Sequence, residues 1–290
     1  MNAFGKILVF GATCLLLMGC DVINPEEQVP AYLDIQDFTL STDPVTQGSN
    51  SAKITEVWVF VGGVFLGTYD LPAIVPVLTF GTTDIRLEAG IRDNGISSFP
   101  DIYPFYEPFR TTVNLEANKT VSIQPSTRYI DEAKFAFIEN FEDNNPRFFT
   151  ELITGAQPLD RTQEDVFEGN YAGILTLDKT NNPIAEIATT ATFSDLQKDG
   201  IFVYLEVNYK SAAPVAWGIA GLIDPIVGVE RFYESGFSPN TEWNKIYFNI
   251  SQLLFDSGLD EIQIAFQAFL TTQSPDSATV LIDNIKLVHF

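Results

Sequence analysis

The stretch "IFVYLEVNYKS", residues 201–211, decides the fold class. Ile201, Val203, Leu205, Val207 and Tyr209 fall on one face of a strand, and Phe202, Tyr204, Glu206 and Asn208 on the other. Both faces are partly apolar, which suits an inner strand of a two-sheet sandwich rather than a sheet with one wet side. Its neighbours repeat the texture. "FEGNYAGILTLD" (167–178), "AWGIAGLID" (216–224), "EWNKIYFNIS" (242–251), "DEIQIAFQAFL" (260–270) and "ATVLIDNIKLVHF" (278–290) are short runs rich in aromatic and β-branched residues. Together they predict a second domain of strands over residues 134–290.

Upstream, the same reading gives a separate set of strands over 31–128. A first strand over 31–40 precedes a polar loop with Pro44 and Gly48. "ITEVWVFVGGVFLGTYDLP" (54–72) reads as strand, Gly62-Gly63 turn, strand, because both turn positions tolerate positive φ. "VPVLTFGTTDIRLEAGI" (75–91) and "TTVNLEANKTVSIQP" (111–125) each give strand, turn, strand. "RDNGISSFPDIYPFYEPF" (92–109) is a long loop with three prolines, and its aromatic part, 102–109, is either an exposed adhesive patch or, the favoured reading, a segment that folds across this domain and packs against the second. The alternation breaks at "RYIDEAK", 128–134. The expectation is an all-β chain of two β-sandwich domains.

The 290-residue chain carries 38 Asp+Glu against 16 Lys+Arg, a net charge of −22. A nucleic-acid partner requires a basic footprint, so this balance argues against one, and against peripheral binding to anionic lipid. Both cysteines, Cys14 and Cys20, lie in the first twenty residues. Lys6, then an apolar run over 7–18 too short to span a bilayer, reads as a signal peptide. With that segment removed, Cys14 leaves with it and no disulfide is available, so the sandwiches must be stable by their cores alone.

The words "LMGC" at 17–20 resemble the bacterial lipobox. That resemblance implies cleavage after residue 19, acylation of Cys20 and a lipidated tether over 20–30. Asp21, Glu26 and Glu27 after it resemble the surface-export signals of Bacteroidota-type lipoproteins, implying an outer-membrane protein, at the cell surface or inside it. "VWVFVGGVFLG", "LPAIVPVL" and "GTTDIRLEAG" resemble PEGA-like surface modules, and 31–128 as a whole reads as immunoglobulin-like. "EGNYAG", "YLEVNYKS", "WNKIYFNIS" and "LIDNIKL" resemble the galactose-binding-like jelly roll over 134–290, a fold that includes many carbohydrate-binding modules.

From that second resemblance come two sets of candidate residues. Jelly rolls of this kind often hold a structural calcium where first and last strands meet, and "NFED" with "IDN" implies Glu142, Asp143 and Asp283 as its oxygen ligands. Glycan sites stack sugar rings on aromatics, and Trp217, Tyr233 and Phe237 lie near loops and strand ends, each weighed against a place in the core. Trp243 is expected in the core, and Trp58 inside the first sandwich. Asp276-Ser277-Ala278 resembles a three-residue O-glycosylation site.

Catalysis finds little to work with. The one histidine, His289, is next to the C-terminus and is expected at a surface or edge position. No G-x-S-x-G, H-E-x-x-H or Walker motif occurs in the sequence. The expectation is a non-enzymatic, membrane-anchored envelope lipoprotein with a binding module for glycans. The alternative is a structural or assembly lipoprotein that contacts protein partners. A hydrolase using paired carboxylates would need two of them facing each other in a cleft.

Overall fold

The structure, a computed structural model, describes residues 27–142, 147–224 and 228–290. Cys20 with its signal peptide, and Asp143, lie outside the described residues. The molecule is all-β, as the alternation predicts. Among the described residues no helix is long and apolar enough to cross a membrane.

Ten strands build the N-terminal sheets: β1 (Ala31–Ile35), β2 (Thr39–Ser41), β3 (Glu56–Val61), β4 (Val64–Asp70), β5 (Ala73–Val77), β6 (Gly81–Arg92), β7 (Pro100–Ile102), β8 (Phe109–Leu115), β9 (Thr120–Ile123) and β10 (Ser126–Arg128). One sheet runs β4-β3-β6, and β7 and β8 pair with successive parts of β6 along its far edge. The other runs β5-β1-β9, beside a β2-β10 pair, and β1-β9 and β2-β10 are parallel. Gly62 and Gly63 close the β3-β4 hairpin with φ of 57° and 84°, which a Cβ would disfavour. The turns after β5 and after β8 do not close hairpins. β5 pairs with β1 while β6 pairs with β3, and β8 pairs with β6 while β9 pairs with β1, so each turn carries the chain from sheet to sheet.

Val57, Val59, Val61, Ile85 and Leu87 face the core between these sheets. Trp58 and Phe60 therefore point the other way. Trp58 is half-buried on the outer face, where a Cβ on Gly90 would meet its ring at 2.3 Å. The expectation that Trp58 packs inside is corrected: strand parity puts it outside, and Gly90 leaves room for its ring to lie down.

The C-terminal sandwich contains β11 (Lys134–Glu139), β12 (Glu151–Thr154), β13 (Asp160–Thr162), β14 (Ala172–Asp178), β15 (Ile184–Ala188), β16 (Phe193–Ser194), β17 (Val203–Ser211), β18 (Val215–Asp224), β19 (Gly228–Phe237), β20 (Asn240–Asn249), the short helix α1 (Ser251–Ser257), β21 (Glu261–Phe269) and β22 (Ser277–His289). One sheet runs β13-β14-β22-β17-β20, with β11 on the second half of β22. The facing sheet runs β12-β15-β21-β18-β19, with β16 at the start of β21. Between them lies an apolar core that includes Leu177, Ile187, Leu205, Ile219, Phe248, Phe266 and Leu287. β22 is an interior strand, so His289 is not at an edge: it is half-buried between β11 and β17, where burial pushes its imidazole below the usual range.

β17 explains the opening stretch. Val203, Leu205 and Val207 enter the core of the second sandwich. Tyr204, Glu206 and Asn208 are also buried, because the other face of their sheet is covered by the first sandwich. The aromatic loop 102–109 supplies much of that cover. Tyr103, Phe105 and Tyr106 are buried, and Tyr103 packs edge-on to Tyr204 at 5.1 Å. Polar contacts then fix the register between the sandwiches. Asn208 Nδ2 donates to Ser51 Oγ at 2.9 Å, the Lys53 amide to Tyr247 Oη at 3.0 Å, and the Asn249 amide to Asn94 Oδ1 at 3.0 Å.

Candidate functional site

The outer face of the β12-β15-β21-β18-β19 sheet carries the more open of two candidate sites. Val215, Trp217 and Ile219 of β18 point into the core, so Ala216, Gly218 and Ala220 point out. Register places Tyr233 of β19 opposite Gly218, Gly218 opposite Ala265 of β21, and Ala265 opposite Ala188 of β15. That row has almost no side chain of its own, and it forms a low floor.

Across the floor lies Tyr233. Its hydroxyl donates to Glu186 Oε1 on β15 at 2.5 Å. Three strand steps separate β19 from β15, about 14 Å at ~4.8 Å each. A tyrosine and a glutamate can meet over that span only if both extend along the sheet. A Cβ on Gly218 would sit 2.7 Å from Tyr233 Cδ1 and 2.3 Å from the Phe232 carbonyl, so glycine is what lets the ring lie down. Arg231, one row along, brings Nε to 3.4 Å from the same Glu186 oxygen. Gln263 Nε2 donates to Glu151 Oε2 at 2.6 Å on the far side. The phenol is pushed up by burial and by the adjacent Glu186 carboxylate, so it stays a hydrogen-bond donor at physiological pH. Beside the ring opens a cleft of about 420 Å³ lined by Pro214, Ala216, Tyr233, Glu234 and Phe269. A half-exposed ring with planar amide, guanidinium and carboxylate groups around it can stack on the apolar face of a sugar and bond its hydroxyls.

Of the three aromatics expected to bind ligand, only Tyr233 is on this face. Trp217 is 2% exposed and packs against Phe248 at 5.3 Å inside the sandwich. Phe237 is 3% exposed and stacks on Tyr209 at 4.0 Å. Strand parity turns both rings inward, although Phe237 also lines the cleft beside Tyr233. Trp243, expected in the core, is half-exposed, with Nε1 donating to Asp165 Oδ1 at 3.0 Å. Glu186, Arg231 and Gln263 went unsuspected in the sequence. Their signal was the alternation of small and polar residues opposite Trp217 and Ile264, which shows only once the strands are registered.

The second candidate is the carboxylate cluster at the β22 bulge. The register of β17 on β22 slips between Glu206 and Asn208, opposite Asp283, and Asn284 takes a φ of 46°. Asp283 is fully buried, and its oxygens accept from the Asn284 amide at 2.8 Å and the Glu168 amide at 3.3 Å. Glu142 accepts from the Asn170 and Tyr171 amides at 2.7 and 3.0 Å and from Asn170 Nδ2 at 3.1 Å. Gly169 has φ of 74°, and a Cβ there would strike Glu142 Oε1. A cleft of about 340 Å³ opens here, lined by Glu142, Glu168, Asn284 and, from the first sandwich, Thr42 and Ser49.

Calcium requires six to eight oxygens around one point. Among the described residues no group of three or more His, Cys, Asp or Glu side chains could hold a metal ion. Glu142 and Asp283 are instead engaged by backbone N–H donors that tie the 168–171 loop to the bulge. Glu142 and Asp283 thus form no such group with a third described acid, and Asp143, the third expected ligand, lies outside the described residues. Burial pushes Asp283 up to about 8, and the Glu168 and Glu142 carboxylates add to the rise.

That shift has a measurable consequence. Unfolded, Asp283 would titrate near 4, so between pH 4 and 8 the folded state holds a proton that the unfolded state has lost. Its contribution to stability is full below pH 4 and is lost as pH rises to about 8. Asp283→Asn is expected to raise the melting temperature at pH 8 and leave it nearly unchanged at pH 4, read by thermal melts across that range. An equal effect at both ends would show that Asp283 titrates in the folded chain as it does in the unfolded one. If calcium raised the melting temperature of the unsubstituted chain at pH 8, residues outside the described set would be completing a cage.

No family model matches the chain, and no curated protein matches it. Solved structures similar to it include carbohydrate-binding modules. One comes from a study of promiscuous specificity in carbohydrate-binding modules of the β-sandwich superfamily, at 15% identity over 91% of this chain and 99% of that one, with a TM-score of 0.38. The family 30 module of a Clostridium thermocellum cellulosomal cellulase is 14% identical over 52% of this chain and 96% of its own, with a TM-score of 0.39. A xylan-binding domain of family 22 is 9% identical over 55% of this chain and 97% of its own, with a TM-score of 0.36. Likeness at this level carries no argument about what the chain binds, which rests on its own residues.

Proposed function

We propose that the chain is a non-enzymatic envelope lipoprotein, anchored through Cys20, whose second sandwich binds a glycan on the outer face of the β12-β15-β21-β18-β19 sheet. The observation that carries the reading is Tyr233, held along a floor of Gly218 and Ala265 by Glu186, beside an open cleft. The ring is already fixed before a ligand arrives, so little ordering entropy is lost on binding. The anchor rests on the lipobox alone and implies the outer membrane as the location.

The test is a soluble fragment of residues 21–290 on a broad panel of neutral glycans. Tyr233→Ala is expected to weaken binding at least about tenfold, as loss of a central aromatic contact does. Absence of binding across the panel would remove the glycan reading.

One observation favours the alternative, an assembly lipoprotein with protein partners. Ile74, Leu78 and Phe80 on and just after the edge strand β5 are 69%, 59% and 45% exposed. An apolar edge of this kind suits pairing with another chain. Crosslinking in intact envelopes through cysteines placed at 74 and 78 separates the two readings.

A further inference from the structure

The first sandwich carries an arrangement unrelated to either site above. On the outer face of its five-stranded sheet, one row of cross-strand neighbours runs Phe65 (β4), Phe60 (β3), Arg86 (β6), Arg110 (β8). Phe65 is 51% exposed, and its ring lies 5.2 Å from that of Phe60. The Arg86 guanidinium sits 3.7 Å over the Phe60 ring and pairs with Glu88 at 2.8 Å, so it is fixed in place by stacking and by charge. Arg110 is exposed, and among the described residues no carboxylate lies within ion-pair distance of it. Asp84 accepts from Thr112 Oγ1 at 2.7 Å one row further on. A cleft of about 620 Å³ opens over Arg86, Arg110, Asp84, Thr112 and the Gly62-Gly63 turn, whose glycines have no side chain to fill it.

Two guanidiniums directly opposite each other repel, and a chain with 38 acids has ample means to neutralise the second one locally. It neutralises Arg86 and leaves Arg110 open. An arginine fork takes a carboxylate bidentately, where a lysine would offer only a point charge. Asp84 and the adjacent threonine hydroxyl are matched to sugar hydroxyls, and the exposed Phe65 ring at the end of the row to the apolar face of a pyranose. We propose that this face is a second ligand site, for an acidic saccharide of the uronate class, with Arg110 holding the carboxylate. It does not rest on the Tyr233 reading, since the two faces belong to different sandwiches and share no residue.

The experiment uses the full chain in detergent and three probes: oligogalacturonate, the same oligomer methyl-esterified, and dextran sulfate. The expected result is binding of oligogalacturonate that weakens with added salt and is lost on esterification. Arg110→Ala is expected to lower that affinity about tenfold or more, and Arg110→Lys to restore it only in part. Because Arg110 is exposed, its variants should melt with the parent chain, which separates a binding defect from a folding one. Tyr233→Ala should leave oligogalacturonate binding untouched while affecting the neutral panel. The proposal is overturned by no binding at low salt, by equal binding of the ester, by binding of dextran sulfate alone, or by an Arg110→Glu variant that binds like the parent.

Discussion

Glu206→Ala is expected to lower stability by about 3–5 kcal/mol, the range for removing one partner of a buried ion pair. In a chain of this size that corresponds to a fall in melting temperature on the order of 10 °C. Glu206 is fully buried between the sandwiches. Its Oε1 accepts from Tyr103 and Tyr129, both at 2.7 Å and both from the first sandwich. Its Oε2 lies 2.7 Å from Lys245 Nζ, an ion pair whose angles fall outside those of a hydrogen bond. Lys286 closes the group, donating to the Ser49 carbonyl at 2.6 Å and to Tyr129 Oη at 3.2 Å. Burial by itself would raise the Glu206 carboxyl, but Lys245 and Lys286 outweigh it and hold the group below the usual range. Truncation to alanine leaves the buried Lys245 and Lys286 without their anion and two phenols without their acceptor. Thermal melts read the loss. A Glu206→Ala chain that melted with the parent would show the group to be hydrated and energetically slack.

Lys286 gives this network its own pH signature. Burial pushes it down to about 7, with Lys245 adding to the fall and Glu206 opposing it. The unfolded state binds the extra proton between pH 7 and about 10, so this term makes stability rise with pH across that window. It therefore runs opposite to Asp283, whose contribution declines below it. The two groups lie on one strand, three residues apart, and report on its two neighbours: Asp283 on the 168–171 loop, Lys286 on the first sandwich.

Much of the architecture is legible in period-two patterning, because alternation is a local signal. Residues 201–211 announced a strand covered on both sides, and the covering element on the second side proved to be a whole sandwich rather than a partner sheet. What alternation cannot give is parity relative to the core. Trp58 and Trp217 sit in equally apolar runs, "VWVFV" and "AWGIA", yet one faces out over Gly90 and the other faces in. The turns at 78–80 and 116–119 show the same limit, since turn chemistry marks a reversal without saying which sheet receives the next strand. The Tyr233 site depends on residues from three strands far apart in sequence, Glu186, Gly218 and Tyr233, and no local word links them. The Glu206 network is less legible still. A glutamate in a strand reads as solvated until its lysines arrive from β20 and β22 and its tyrosines from another sandwich.

Trp217→Ala and Tyr233→Ala are expected to give opposite phenotypes, and the contrast tests the placement of both. Trp217 is packed between the sheets against Phe248, on the strand between β21 and β19. Emptying that volume removes apolar burial and leaves a cavity, a loss of about 3–5 kcal/mol for a large aromatic. The melting temperature should fall by roughly 10 °C, at a few degrees per kcal/mol. Below that lowered transition the outer face is still built, because its floor is Gly218 and Ala265 and its ring is Tyr233, so glycan affinity per folded molecule should stay near the parent value. Tyr233→Ala removes a half-exposed ring and one hydrogen bond to Glu186, a stability change of about 1 kcal/mol. Its effect should fall on binding instead. Melting curves and affinities measured on the same two variants decide the matter: a Trp217→Ala chain that melts with the parent but has lost its ligand would place the tryptophan at the surface and move the site to the other face of β18.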